Sequence, residues 1–195
     1  MANKDAPFGL RPIRMIGGGD FTGGQDRYSI ASSYNTSLYQ GDLVEPLTNG
    51  TIGRKAAGEN DAVLGVFNGC RYTNPTTGTP TWANTYQQPI AASDIYAFVV
   101  CDPSVVYEVQ ADDTFPTTDL FGNFDIVDNS PVGDVNSGIS HLELDVTTGN
   151  TTATLPLKAI GISEDPDNSD TASANTNVVV TINNSVFSGG TDGLA

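Results

Sequence analysis

Residues 41–72, GDLVEPLTNGTIGRKAAGENDAVLGVFNGCRY, set three short apolar runs between strong turn signals, and this alternation decides the fold class. Leu43 and Val44 open the first run. Asn49-Gly50 is the dipeptide that best tolerates the positive φ angles of a tight hairpin turn, and Ile52 resumes the chain beyond it. After a second break at residues 57–61 comes Val63-Leu64-Gly65-Val66-Phe67, an apolar run of β-formers too short for a buried helix. The stretch predicts a small β-meander with Val63, Leu64, Val66 and Phe67 in its core. Gly65 has no side chain to pack, which predicts either a bulge or a close approach by a neighbouring backbone.

Strand signals continue on both sides. Residues 28–39 lead into the meander as a strand broken near Ser32-Ser33. Residues 95–101, IYAFVVC, are almost continuously apolar, as a strand buried on both faces would be. In residues 105–110, Val105, Tyr107 and Val109 share one face and Val106, Glu108 and Gln110 the other, so with the turn Asp102-Pro103-Ser104 the pair reads as a second hairpin. Residues 139–146 alternate, with Leu142, Leu144 and Val146 opposite His141, Glu143 and Asp145. Residues 155–162 form a further strand, which Pro156 confines to an edge or to its own first residues, and residues 178–182 form the last. One helical turn is expected near Thr117-Thr118-Asp119. The chain thus reads as all-β, an antiparallel β-barrel or sandwich of about eight strands with little helix. Its organisation reads as an extended N-terminal arm (1–30), a β-rich body (31–187) and a polar C-terminal tail (188–195).

Composition agrees and narrows the function. Twenty-two Thr, 21 Gly, 16 Asn and 11 Pro favour strands and turns over helices. The net charge of −15 argues against nucleic-acid binding. Seven of the eight basic residues fall in residues 1–71, where they balance seven acids, whereas residues 72–195 hold Lys158 against 16 acids. Such asymmetry suits one face that meets a partner and another that faces solvent. No apolar run is long enough to span a membrane, and the N-terminus lacks the apolar core of a signal peptide. Neither a membrane nor secretion by that route is expected. Cys70 and Cys101 read as reduced core residues rather than a disulfide framework.

No enzyme is expected. The single histidine, His141, lies between acids with no nucleophile marked beside it, and one His with two separated Cys cannot supply zinc's usual ligands. Gly17-Gly18-Gly19 lacks the Lys of a P-loop and reads as a flexible joint. Asp165, Asp167 and Asp170 begin like a calcium loop, but Asp170 and Thr176 stand where an EF-hand needs Gly and a bidentate acid, so an acidic turn is expected, with no metal and no cofactor.

Two candidate surfaces remain. In the arm, Phe8, Leu10, Ile13, Met15 and Ile16 are interleaved with Arg11 and Arg14, a pattern that docks either on a partner or on the chain's own body. Residues 73–89 form a Thr/Pro-rich loop with the only tryptophan, Trp82, and with Tyr86. These rings act either as an interaction anchor or as a lid on the core.

Several phrases together resemble a family of small structural proteins of tailed bacteriophages, aquatic ones especially, that decorate or cement the capsid. They are APFGLRPIR (6–14), GDLVEPLTNGTIGRK, AVLGVFNGCRY, DIYAFVVCDPSVVYEVQADD (94–113), and TTATLPLKAIGISEDPDN followed by VVVTINNS. The resemblance spans nearly the whole chain. It implies a non-enzymatic β-rich virion protein, made in the host cytoplasm and placed on the outer surface of an HK97-type capsid, where it bridges neighbouring major capsid proteins. It also allows contacts between copies of itself on the shell. Phe8, Leu10, Ile13, Arg11 and Arg14 would then be the capsid-binding residues of the arm, adding a strand to an exposed edge or filling a groove. The rival is a carbohydrate- or host-surface-binding module with Trp82, Tyr86 and Tyr72 as an aromatic platform.

Overall fold

The computed structural model describes residues 2–193. Over these the chain forms fourteen β-strands and one 3₁₀ turn at Thr117–Asp119, where a helical turn is expected. The first sheet runs in the order β1 (Arg11–Met15), β10 (Val105–Gln110), β14 (Asn177–Ile182), β13 (Leu157–Ile162), β11 (Asn123–Val127) and β12 (Glu143–Asn150). The second runs β2 (Asp26–Ser29), β9 (Tyr96–Val100), β6 (Gly65–Thr73), β4 (Leu43–Pro46) and β5 (Ile52–Arg54), with β7 (Pro80–Ala83) also on β6. A short pair joins β3 (Leu38–Tyr39) to β8 (Thr85–Tyr86). Both large sheets run in an open order, the first touched at its β12 end by a single bridge from Ala111 to Leu144, so the fold is an all-β sandwich and not a closed barrel.

Two apolar cores flank the second sheet. Leu43, Val66 and Val100 face the first sheet and pack with Tyr107, Val109, Val178, Val180 and Leu157 in the larger core. Their sequence neighbours Val44, Phe67 and Val99 point the other way, into a smaller core with Leu38, Tyr86, Ile90 and Ile95. Alternate side chains of a strand point to opposite faces, so a strand buried on both must be apolar at every position. The continuous run at 63–67 has this cause, whereas in 95–101 Ile95, Ala97 and Val99 fill the smaller core, Val100 enters the larger one, and Tyr96 and Phe98 are only half-buried.

Two expectations about strand pairing are corrected in the fold. The stretch 41–72 does form strands and turns at Asn49-Gly50, where Gly50 has φ +78°, but it is not a meander. Strand β4 lies between β5 and β6, because the chain passes around β5 before β6 pairs with β4. Residues 95–110 are not a hairpin either. Strand β9 belongs to the second sheet and β10 to the first, so Asp102-Pro103-Ser104 is a crossing between layers. The Tyr107 hydroxyl spans the gap, donating to the Val100 carbonyl at 3.2 Å. Turn residues announce a reversal but not whether the next strand pairs or changes sheet. Gly65 resolves as a close approach: a Cβ there would lie 2.3 Å from the Val100 carbonyl oxygen. The bulge in this ladder falls between Phe67 and Gly69 instead.

Residues 1–30, read as an unpaired arm, contain two strands. Strand β1 is the edge of the first sheet on β10, and β2 is the edge of the second on β9. Asn3, Lys4 and Ala6 are hydrogen-bonded to Asp170, Asn168 and Gln110, so the chain from residue 3 onward lies on its own body. At the other end, the carbonyl of Thr191 accepts from Asn123, and Gly193 donates to Thr151. The expected tail 188–195 therefore packs back on the first sheet through residue 193; residues 194–195, like Met1, lie outside the described residues.

Candidate functional site

The arm lies where the two sheets meet. Leu10 is only 2% exposed and belongs to the larger core, and its N–H donates to the Gly41 carbonyl at 2.9 Å. Gly9, at φ +69°, permits this approach, since a Cβ there would lie 2.8 Å from the Gly41 oxygen. Leu10 is thus a core residue and not a contact residue. Beside it opens a groove of about 220 Å³ walled by Phe8, Leu10, Val66, Phe67 and Ile139, with Arg11, Gln40 and Asn68 at its rim.

The two arginines differ in availability. Arg11 is ion-paired with the buried Glu108 and its guanidinium sits 4.7 Å from the Phe8 ring centre, so it fastens the arm to β10. Arg14 is exposed and bonds only the neighbouring Met15 carbonyl. Ile13 falls at the register shift between Pro12 and Arg14, which turns it outward to 40% exposure. Just beyond, Gly17 and Gly18 take φ near +90° in a turn closed by Met15 N–H on Gly19 O, so the glycine triplet is an ordered turn rather than a loose joint. That turn holds Ile16, one of the arm's interleaved apolar residues, out at 58% exposure. Ile13, Arg14 and Ile16 put exposed apolar and cationic side chains on and just beyond the edge strand, with the half-buried Phe8 in the groove beside it. The edge itself resists strand addition, because Pro12 carries no N–H and the shift at Ile13 breaks the ladder.

A buried polar cluster supports the groove from below. Asp42 follows Gly41, accepts from Ser140 Oγ at 2.5 Å and Tyr39 N–H at 2.8 Å, and lies 3.5 Å from Arg54 Nε. Burial pushes its carboxyl up to about 6, with Arg54 and the two hydrogen bonds opposing the rise. Arg54 also meets Asp128 at 2.5 Å, and the fully buried Lys55 pairs with Glu45 at 3.5 Å. These pairs tie the end of β5 to β4 and to the residues Asp42 and Asp128 beside it.

Residues 73–89 are not a long loop. Strand β7 pairs with β6 in register Arg71↔Trp82, and β8 pairs with β3. Trp82 is 65% exposed with the Arg71 guanidinium 5.6 Å from its ring. Tyr86 is fully buried, its hydroxyl donating to the Tyr34 carbonyl at 2.7 Å, so it serves the smaller core and is no surface contact. Spacing alone grouped the two residues, but β7 and β8 lie on opposite sides of a turn at Asn84.

Neither thiol is poised for chemistry: burial pushes Cys70 up to about 12 and raises Cys101, whose Sγ sits 3.1 Å from Asp26 Oδ2. His141 Nδ1 lies 3.0 Å from the Pro131 carbonyl. Among the described residues no three His, Cys, Asp or Glu side chains converge in a way that would hold a metal ion. The Asp165 and Asp170 carboxylates instead accept from the N–H groups of Asp167 and Ala172, two residues on. No family model, no curated protein and no solved structure matches the chain.

Proposed function

We propose that this chain is a non-enzymatic structural protein of a tailed-phage virion that lies on the outer surface of an HK97-type shell and cements neighbouring major capsid proteins. The group Ile13, Arg14 and Ile16, with Phe8 in the groove beside it, carries the reading. It puts exposed apolar side chains and an unburdened guanidinium on one edge of a chain whose net charge is −15. Contact there is through side chains entering or covering the groove, since the edge is ill suited to strand pairing. The sequence phrases that resemble capsid-decorating proteins supply the class of partner. A shell repeats one site many times, so a modest interface per copy adds up across the particle.

Deleting residues 2–16 is not a clean test, because it would remove β1 and the core residue Leu10. Ile13→Asp combined with Arg14→Glu alters only exposed side chains. Co-sedimentation with shells assembled from the partner major capsid protein is expected to show wild-type protein in the pellet and the double variant in the supernatant, both with native thermal midpoints. A folded double variant that still saturates the shells sinks the reading. The rival platform of Trp82, Tyr86 and Tyr72 loses a member with the burial of Tyr86, leaving Trp82 as its exposed ring.

A further inference from the structure

The second sheet carries another surface, independent of the arm and of the capsid reading. Val66 and Val100 pack against the first sheet, and the same face of β6 and β9 continues past the bulge, beyond its cover. There Gly69 lies opposite Phe98 and Arg71 opposite Tyr96, while Arg71 is also opposite Trp82 on β7 and Phe98 opposite Arg27 on β2. The result is a ladder of alternating rings and guanidiniums: Trp82, Arg71, Tyr96, Arg27, Phe98. Arg71 stands 5.6 Å from the Trp82 ring centre and Arg27 stands 4.6 Å from that of Tyr96.

Neither arginine forms an ion pair among the described residues. Asp94 lies within the field of Arg71, but its two oxygens are held by the Thr73 N–H and hydroxyl at 3.1 and 2.7 Å. Two guanidiniums without a carboxylate partner, in a chain with 23 acids, call for an anionic ligand.

We propose that this ladder binds an acidic polysaccharide. An indole or phenol face stacks on the C–H face of a sugar ring, and a guanidinium already oriented by its own ring contact receives a carboxylate or sulfate bidentately. Arg71 and Arg27 lie on strands two apart and two residues out of line with each other, so their backbones are about 12 Å apart, a spacing within reach of acidic groups on alternate sugars. Nucleic acid fits less well, because its charge is denser and the −15 of the whole chain repels it. A sparsely charged glycan meets mainly the local positive face, since exposed charges beyond roughly 8 Å are screened at physiological salt.

Isothermal titration of the full chain with hyaluronan and unsulfated chondroitin oligosaccharides tests the proposal, with dextran and oligo-dT as comparison probes. Saturable binding to at least one acidic glycan is expected, weaker at high salt. Either Trp82→Ala or Arg27→Gln with Arg71→Gln is expected to weaken binding by about tenfold or more, as loss of a stacked ring or of charge-assisted bonds implies. Lys4→Gln is expected to change nothing. The proposal is overturned if no acidic glycan binds, if dextran binds equally well, or if only oligo-dT binds. It is equally overturned if the variants keep full affinity while their thermal midpoints fall, which would make the stacked pairs purely structural.

Discussion

One pair of strands, β6 and β9, runs through two environments, and its ends behave differently. At one end Val66 faces Val100, and neighbouring side chains enter apolar cores on both sides of the sheet. At the other, Arg71 faces Tyr96 with Trp82 alongside, and water replaces the first sheet. The backbone ladder is the same, and both ends are rich in β-formers. What differs is the overlap of the first sheet, which stops short of the bulge. Under the overlap, stability comes from excluding water and from tight approach, as the missing Cβ of Gly65 shows. Beyond it, guanidiniums stacked on rings tolerate solvent and remain able to contact something else.

Substitutions along this pair sharpen or break the contrast. Phe67→Ala, at a fully buried ring, is expected to cost about 4 kcal/mol in denaturant unfolding; a loss under about 1 kcal/mol would mean that the smaller core is not close-packed. Gly65→Ala places a methyl group 2.3 Å from a backbone oxygen that cannot rotate away, and is expected to cost about 3 kcal/mol.

A pH titration probes the buried end through Asp42. Burial raises its carboxyl from 3.8 to about 6, so the folded state holds this proton more tightly than the unfolded chain does. Its stabilising contribution is complete below about pH 4 and is lost as the pH rises through about 6, a change on the order of 3 kcal/mol. Burial shifts Glu45, Asp112 and Glu143 in the same direction. Thermal midpoints of wild type and Asp42→Asn are therefore expected to diverge between pH 4 and 6, with wild type losing stability relative to the variant as the pH rises. Parallel curves would show that Asp42 does not titrate there.

The smallest effects separate two residues that sequence spacing had grouped. Tyr86→Phe leaves the part-buried Tyr34 carbonyl without its donor and the buried Ile90 N–H without its acceptor, and is expected to cost about 1.5 kcal/mol. Trp82→Ala, at the open end, is expected to cost less than about 1 kcal/mol. If the order reversed, Trp82 would be a lid on the core rather than a surface ring.

The sequence by itself determined the elements. Runs of β-formers between Gly, Pro and Asn turns placed the strands at 43–46, 52–54, 96–100, 105–110 and 177–182 to within a few residues, because turn chemistry and alternation are local properties. The unbroken run at 63–67 also announced burial on both faces, while the run at 95–101, expected to be buried likewise, leaves Tyr96 and Phe98 half-buried where the first sheet does not cover them. Which strands pair was not legible: a turn such as Asp102-Pro103-Ser104 has the same composition whether the next strand folds back or crosses to another layer. The arm's fate was hidden for the same reason, since Leu10 gains its burial from Gly41 and from core residues distant in the chain such as Val66 and Tyr107, whose approach leaves no local signal. The aromatic and guanidinium ladder is the plainest case. Arg27, Arg71, Trp82 and Tyr96 are scattered over 70 residues and lie on four strands, and only the tertiary register, set by which apolar faces must meet, brings them onto one surface.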